Sequence, residues 1–154
     1  MAGRIVVGID GSEAGQAAFR WAVDEARDRG AKLVAVHAWT FVPPAPMSEP
    51  GLMPLPAGDL AGELEIQRNA VATVLEEAIS SVDTKGVDLE QRLIEDAPGE
   101  ALVHESKGAD LLVVGSQGHS LIGGALLGSV SRHVERHATC EVMIIRPPKD
   151  DNQD

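Results

Sequence analysis

The chain predicts an α/β fold, a five-stranded parallel doubly wound sheet with four helices, on three observations. Short β-rich apolar runs alternate with longer segments of helical spacing from one end to the other. The first strand, helix and strand fit within residues 4–39, the compass of one parallel crossover. The run at 110–115 (DLLVVG) is almost uniformly apolar, as a strand covered on both faces must be.

Each element has a local cause. Residues 4–9 (RIVVGI) are β-branched and end at the turn signal Asp10, Gly11, Ser12. Ser12 is placed to cap the next helix, with Glu13 in its first turn facing the positive end of the dipole. Ala14, Ala17, Ala18, Trp21, Ala22 and Ala26 follow at helical spacing until Gly30. Residues 32–39 (KLVAVHAW) form the second strand. Between 40 and 58 lie six of the nine prolines, so this segment reads as a loop. Its length suits a mobile lid, an interaction segment or a tolerated insertion. A long helix opens near Asp59 and carries Leu64, Val71, Val74, Leu75, Ala78, Ile79 and Val82. Gly86 leads to a third strand at 87–94, whose imperfect alternation suits a sheet edge. Pro98 fits the first turn of a short helix ended by Gly108. A fourth helix is expected over 122–137 and a fifth strand over 141–146 (EVMIIR). The domain is expected to take in 1–147, with 148–154 as a polar tail.

Composition narrows the partners. Thirteen Lys and Arg stand against 24 Asp and Glu, a formal net charge of −11 with no basic patch, so the chain repels a phosphate backbone and nucleic acid is excluded as an expected partner. A single cysteine, Cys140, leaves no internal disulfide to form and suits a reducing compartment. The apolar run near the N-terminus is too short for a signal peptide, and no run reaches membrane-spanning length. The expected location is the cytoplasm, with no membrane partner.

Ligands of doubly wound sheets sit beyond the carboxyl ends of the strands where strand order reverses, here the first and fourth strands. Asp10 follows one and Gly115 ends the other. Residues 115–131 read GSQGHSLIGGALLGSVS. Gly115 and Gly118 allow positive φ and close approach of a ligand. Gly128, Ser129, Val130 and Ser131 precede a helical pattern, and a helix N-terminus with small hydroxyls is an anion site. The alternative is a tight turn with a small-residue packing face. Neither the P-loop nor the dinucleotide glycine fingerprint occurs. His119 lies between the glycine clusters, as a phosphate contact or an exposed loop residue. Cys140 reads as a packed thiol, and Trp21 and Trp39 as core or pocket wall. The pair His133 and His137 lacks a third metal ligand at useful spacing. Ser129 has no neighbouring base that marks a nucleophile, so no catalytic residue is assigned.

The spacing Gly-x2-Gly-x9-Gly-Ser, in Gly115, Gly118, Gly128 and Ser129, resembles the ATP-binding signature of the universal stress proteins. So do the blocks VVGIDGSEAGQAAFRWA, VAVHAW, DLLVVGSQGH and GSVSRHVERHATCEVMIIR, in order and spacing. The resemblance implies a flavodoxin-like, adenine nucleotide α-hydrolase-like sheet, a homodimer through the fifth strand, and ATP as ligand. It places Asp10 near ribose and Mg, the backbone of His37 and Ala38 at adenine, and Gly118, Gly128, Ser129, Val130 and Ser131 at the phosphates. Gly8, Ile9, Val114, Gly115 and His119 complete the expected binding set. Glu141 departs from the proline common after the cysteine, which bears on the fifth-strand edge and its dimer contact. The implied function is a nucleotide-dependent regulator or sensor of stress, with a protein partner engaged through 40–58. A slow Mg-dependent ATP hydrolase and a ligand-free dimeric interaction protein are the rivals.

Overall fold

A computed structural model describes residues 3–43, 60–117 and 127–149 of the chain. Five strands and four helices follow in strict alternation: β1 (Arg4–Gly8), α1 (Glu13–Arg29), β2 (Lys32–Trp39), α2 (Leu60–Ser80), β3 (Asp88–Glu95), α3 (Pro98–Glu105), β4 (Leu111–Gly115), α4 (Ser129–His137) and β5 (Glu141–Ile145). All strand pairs are parallel, in the order β3-β2-β1-β4-β5. The doubly wound sheet is therefore as the sequence predicts, with β3 at an edge and β1 beside β4 at the switch point.

Two apolar layers hold the sheet, one on each face. Ile5, Val7, Leu33, Ala35, Leu111 and Val113 project into the first, against Ala18, Phe19, Ala22 and Val23 of α1 and Leu75 and Ala78 of α2. The alternate residues Val6, Val34, Val36, Leu112 and Val114 project into the second, against Leu102 of α3 and Val134 of α4. The period-two alternation of strand side chains thus sorts the core into two halves. Burial of these side chains contributes roughly 25 cal/mol per Å² of apolar surface removed from water.

Helix ends follow their sequence signals. The Ser12 hydroxyl accepts from the Gly15 N–H at 3.0 Å, and Gly30 takes the left-handed conformation (φ 64°) that closes α1. Arg27 then donates to the carbonyls of Asp83 and Lys85, tying the end of α1 to the α2–β3 turn. Pro98 occupies the first turn of α3, where its missing N–H costs nothing.

Most boundaries fall within a residue or two of expectation, and the main difference is at the fourth helix. The fourth helix begins at Ser129, because Gly128 is extended (φ −75°, ψ 172°) and its N–H is drawn to the Ser116 carbonyl at 2.7 Å. The earlier part of the expected helix, 122–126, lies outside the described residues, as do most of the proline-rich segment and the tail from 150 onward. Among the described residues no helix is long and apolar enough to cross a membrane.

Candidate functional site

A cavity of about 440 Å³ opens at the carboxyl ends of β2, β1 and β4, under α3 and the start of α4. The strand ends supply Gly8, Ile9 and Asp10 from β1, Val36 and Ala38 from β2, and Val114 and Gly115 from β4. Ser116 and Gln117 continue the wall, Pro98 and Leu102 cover it from α3, and the 127–132 stretch closes the far side. It lies at the switch point that topology nominates for ligands.

The cavity has two unlike ends. Val36, Ala38, Pro98 and Leu102 make an apolar end beneath α3. Opposite them, α4 presents its N-terminus. Gly128 provides no side-chain cap there, so the first-turn amides depend on a partner from outside the helix. The Ser131 hydroxyl turns inward, donating to the Gly128 carbonyl at 2.9 Å. Ser116 ties this end together: its N–H donates to Ile145 at 2.8 Å, and its carbonyl accepts from Gly128 at 2.7 Å. Its own hydroxyl is buried with no hydrogen-bond partner among the described residues.

Asp10 stands between the ends, exposed on the rim. Its Oδ1 accepts from the Ser12 N–H at 2.9 Å and from the Ser12 hydroxyl, which also lies 3.2 Å from the Gln117 carbonyl. A Cβ on Gly15 would strike the Asp10 carboxylate, so glycine in the first turn of α1 makes room for it. A lone carboxylate such as Asp10 could hold Mg only together with water or ligand oxygens, since Mg keeps most of its waters. Among the described residues no group of three His, Cys, Asp or Glu is arranged to hold a metal by itself.

Of the expected set, Gly8, Ile9, Asp10, Ala38, Val114, Gly115, Gly128, Ser129, Val130 and Ser131 meet in this one cavity. Gly118 and His119 lie outside the described residues. His37 does not border the cavity. Strand alternation turns its side chain to the face opposite Val36 and Ala38, where Nδ1 donates to the Ile9 carbonyl at 2.7 Å and steadies the residue before Asp10. The reason for Gly115 also changes. Its φ is not positive; a Cβ there would lie 2.6 Å from the Ala14 carbonyl carbon, so the glycine admits α1 against β4. Neither Trp21 nor Trp39 reaches the cavity: Trp39 is buried and Trp21 packs on the α1 face.

Sequence reasoning missed Val36, Pro98, Leu102, Ser116, Gln117, Leu127 and Arg132. Alternation along β2 was signal enough for Val36, which shares a face with Ala38. Nothing local marks Pro98, Leu102 or Arg132, which arrive by packing.

Flanking groups are structural. His133 packs on Gly99 and bonds Glu100 at 3.1 Å, holding α4 to α3 beside the cavity, and its ring meets that of His137 at a 45° tilt with centroids 4.6 Å apart. Burial, then the nearby carboxylates of Asp110 and Glu141, pushes the Cys140 thiol above its ordinary pKa, the reverse of an activated nucleophile.

Comparison with known proteins agrees with this architecture. Residues 1–146 match the universal stress protein family. The chain belongs to that family. A universal stress protein of Mycolicibacterium smegmatis is 37% identical over 145 residues, covering 93% of this chain and 45% of its own. One from Mycobacterium tuberculosis is 39% identical over 145 residues, covering 92% and 44%. The chain thus spans just under half the length of these curated relatives. Among solved structures, a universal stress protein in complex with cAMP is 31% identical, with a TM-score of 0.66 over 96% of this chain and 98% of that one. The universal stress protein of Lactobacillus plantarum is 25% identical, with a TM-score of 0.66 over 94% and 97%. These universal stress proteins share the Rossmann-like sheet found here.

Proposed function

We propose that this universal stress protein binds an adenine nucleotide in the switch-point cavity and acts as a nucleotide-dependent regulator in the cytoplasm. The observation that carries the reading is the pairing of an apolar end with an uncapped helix N-terminus in one cavity of about 440 Å³. A flat, weakly polar base suits Val36, Ala38, Pro98 and Leu102. Phosphates suit the α4 amides, which the helix dipole makes attractive to anions. The cAMP complex of a 31% identical relative supports an adenine nucleotide as the ligand class.

Within that class we assign ATP, on the glycine and serine spacing, with Asp10 as the residue that would hold an accompanying Mg. The Ser12 N–H and hydroxyl bond Oδ1 and fix the direction of the carboxylate. Among the described lining residues no group has the marks of a dedicated general base, and the reading is retention of a nucleotide with slow turnover at most. Ligand occupancy would tie α3, α4 and the β4 end together, and that rigidified surface is what a partner reads. Pairing of two copies along the β5 edge, and a protein partner for 40–58, belong to the same proposal.

The test is thermal unfolding of the purified chain with adenosine, AMP, cAMP and Mg-ATP. A ligand at one hundred times its Kd stabilises by about 2.7 kcal/mol, a rise of roughly 5–10 °C for a domain of this size. At least one nucleotide must raise Tm by that order, and Asp10→Ala must shrink the Mg-ATP shift more than the AMP shift. Flat melting curves with every nucleotide at millimolar concentration sink the reading.

A further inference from the structure

Resting on the nucleotide reading, we propose that Arg132 is a specificity residue: it makes the cavity favour ligands with an open, terminal phosphate over nucleosides and cyclic phosphodiesters. Among the described lining residues Arg132 is the one cation and Asp10 the one carboxylate. Arg132 is the fourth residue of α4, and its N–H already donates to the Gly128 carbonyl at 3.1 Å. What it adds to the site is therefore its side chain. Helical side chains lean toward the helix N-terminus, which brings the guanidinium toward the end where α4's first amides await an acceptor. The side chain is exposed and has no hydrogen-bond or ion-pair partner among the described residues, whereas Arg4 and Arg92 are both committed to Glu105.

A second observation points to a ligand at the same end. The Ser116 residue is 1% exposed, yet its hydroxyl has no partner there among the described residues. Buried hydroxyls are nearly always matched, so an unmatched one on a cavity wall beside an uncapped helix marks a polar occupant.

The chemistry then sets the preference. A terminal phosphate monoester carries about −1.5 to −2 charges at neutral pH and three acceptor oxygens. Two of them meet the planar guanidinium fork together. A cyclic phosphodiester offers two free oxygens that share a single charge, so the same fork gains less from it, and a nucleoside presents none. Asp10 on the rim repels a phosphate that arrives without Mg, so the lining cation decides how much uncompensated anionic charge the cavity tolerates.

The measurement is calorimetric titration of wild type, Arg132→Gln and Arg132→Lys with adenosine, AMP, cAMP and Mg-ATP at one ionic strength, with Tm as the folding control. Losing a charged hydrogen bond should weaken AMP and ATP by about tenfold in Arg132→Gln, with adenosine within about twofold of wild type and a smaller loss for cAMP. Arg132→Lys should recover part of that loss, since it keeps the charge without the fork. Unchanged AMP affinity in Arg132→Gln, or equal losses for AMP, cAMP and adenosine, overturns this inference and leaves nucleotide binding standing. A wild type that binds none of the four removes the nucleotide reading and this inference together.

Discussion

Gly115 separates two ways in which a glycine serves a site. The spacing that marks it as a ligand contact is real, and it does border the cavity. The constraint on the residue nevertheless comes from the other face of the sheet, where a Cβ would lie 2.6 Å from the Ala14 carbonyl carbon and 2.7 Å from the Gly15 nitrogen. Backbone cannot swing aside as a long side chain does. Gly115→Ala should therefore destabilise the domain by about 1–3 kcal/mol through overpacking, read by urea denaturation. Nucleotide affinity of the folded fraction should change little. The opposite pattern, normal stability with lost affinity, would restore the ligand-approach reading. His37 follows the same rule, since its side chain acts on the far face by bonding Ile9 and supports the site at one remove.

At the scale of elements, α3 is fastened to the sheet by an ion-pair ladder. Glu105 at its end receives Arg4 of β1 at 2.9 Å and Arg92 of β3 at 2.8 Å. Arg92 also meets Glu90 at 3.0 Å, and Glu90 meets Lys32 of β2 at 3.2 Å. The hydrogen bond from Arg92, and then that from Lys32, holds the Glu90 carboxyl below its ordinary value of 4.5. A carboxylate whose pKa is depressed by folding contributes stability that is whole above the unfolded value and lost as pH falls through the folded one. Glu90→Gln should therefore flatten the fall of Tm below about pH 4.5 while changing its slope above pH 6 little. Equal acid slopes for the two proteins would show that the ladder is solvated and contributes nothing. Salt should weaken the effect, because the Glu90 pairs are open to solvent.

For the molecule as a whole, the sheet has one edge at β3 and the other at β5. Met143 of β5 is 38% exposed, and Glu141 opens the strand where a proline would have removed a donor. If two copies pair through this edge, Met143→Lys should convert a dimer to a monomer in sedimentation velocity, since edge charges oppose strand pairing. A dimer that survives the substitution unaltered would place the contact elsewhere. Dimerisation and ligand retention need not be independent, because the Ser116 N–H donates to the Ile145 carbonyl at the end of β5 while its carbonyl holds Gly128. That tie runs from the end of β5 through Ser116 to the start of α4, on the wall of the cavity.

Much of this was legible in the chain because its causes are local. Periodicity placed the strands and helices, Ser12 and Gly30 bounded α1, and strand count with crossover length put β1 beside β4. Those rules brought Asp10 and the 128–131 stretch to one place before any coordinates. Legibility failed where the answer depends on what lies across the sheet. Alternation within β2 turned the His37 side chain to the far face, and the close approach of α1 explained Gly115. Pro98, Leu102 and Arg132 joined the cavity only because α3 and α4 pack over strands distant in sequence. By itself, then, the sequence determined the order of elements, the class of sheet and the neighbourhood of the site. Tertiary packing alone decided which side chains face that site and which charges meet there, since contacts between segments remote along the chain leave no periodic trace within either one.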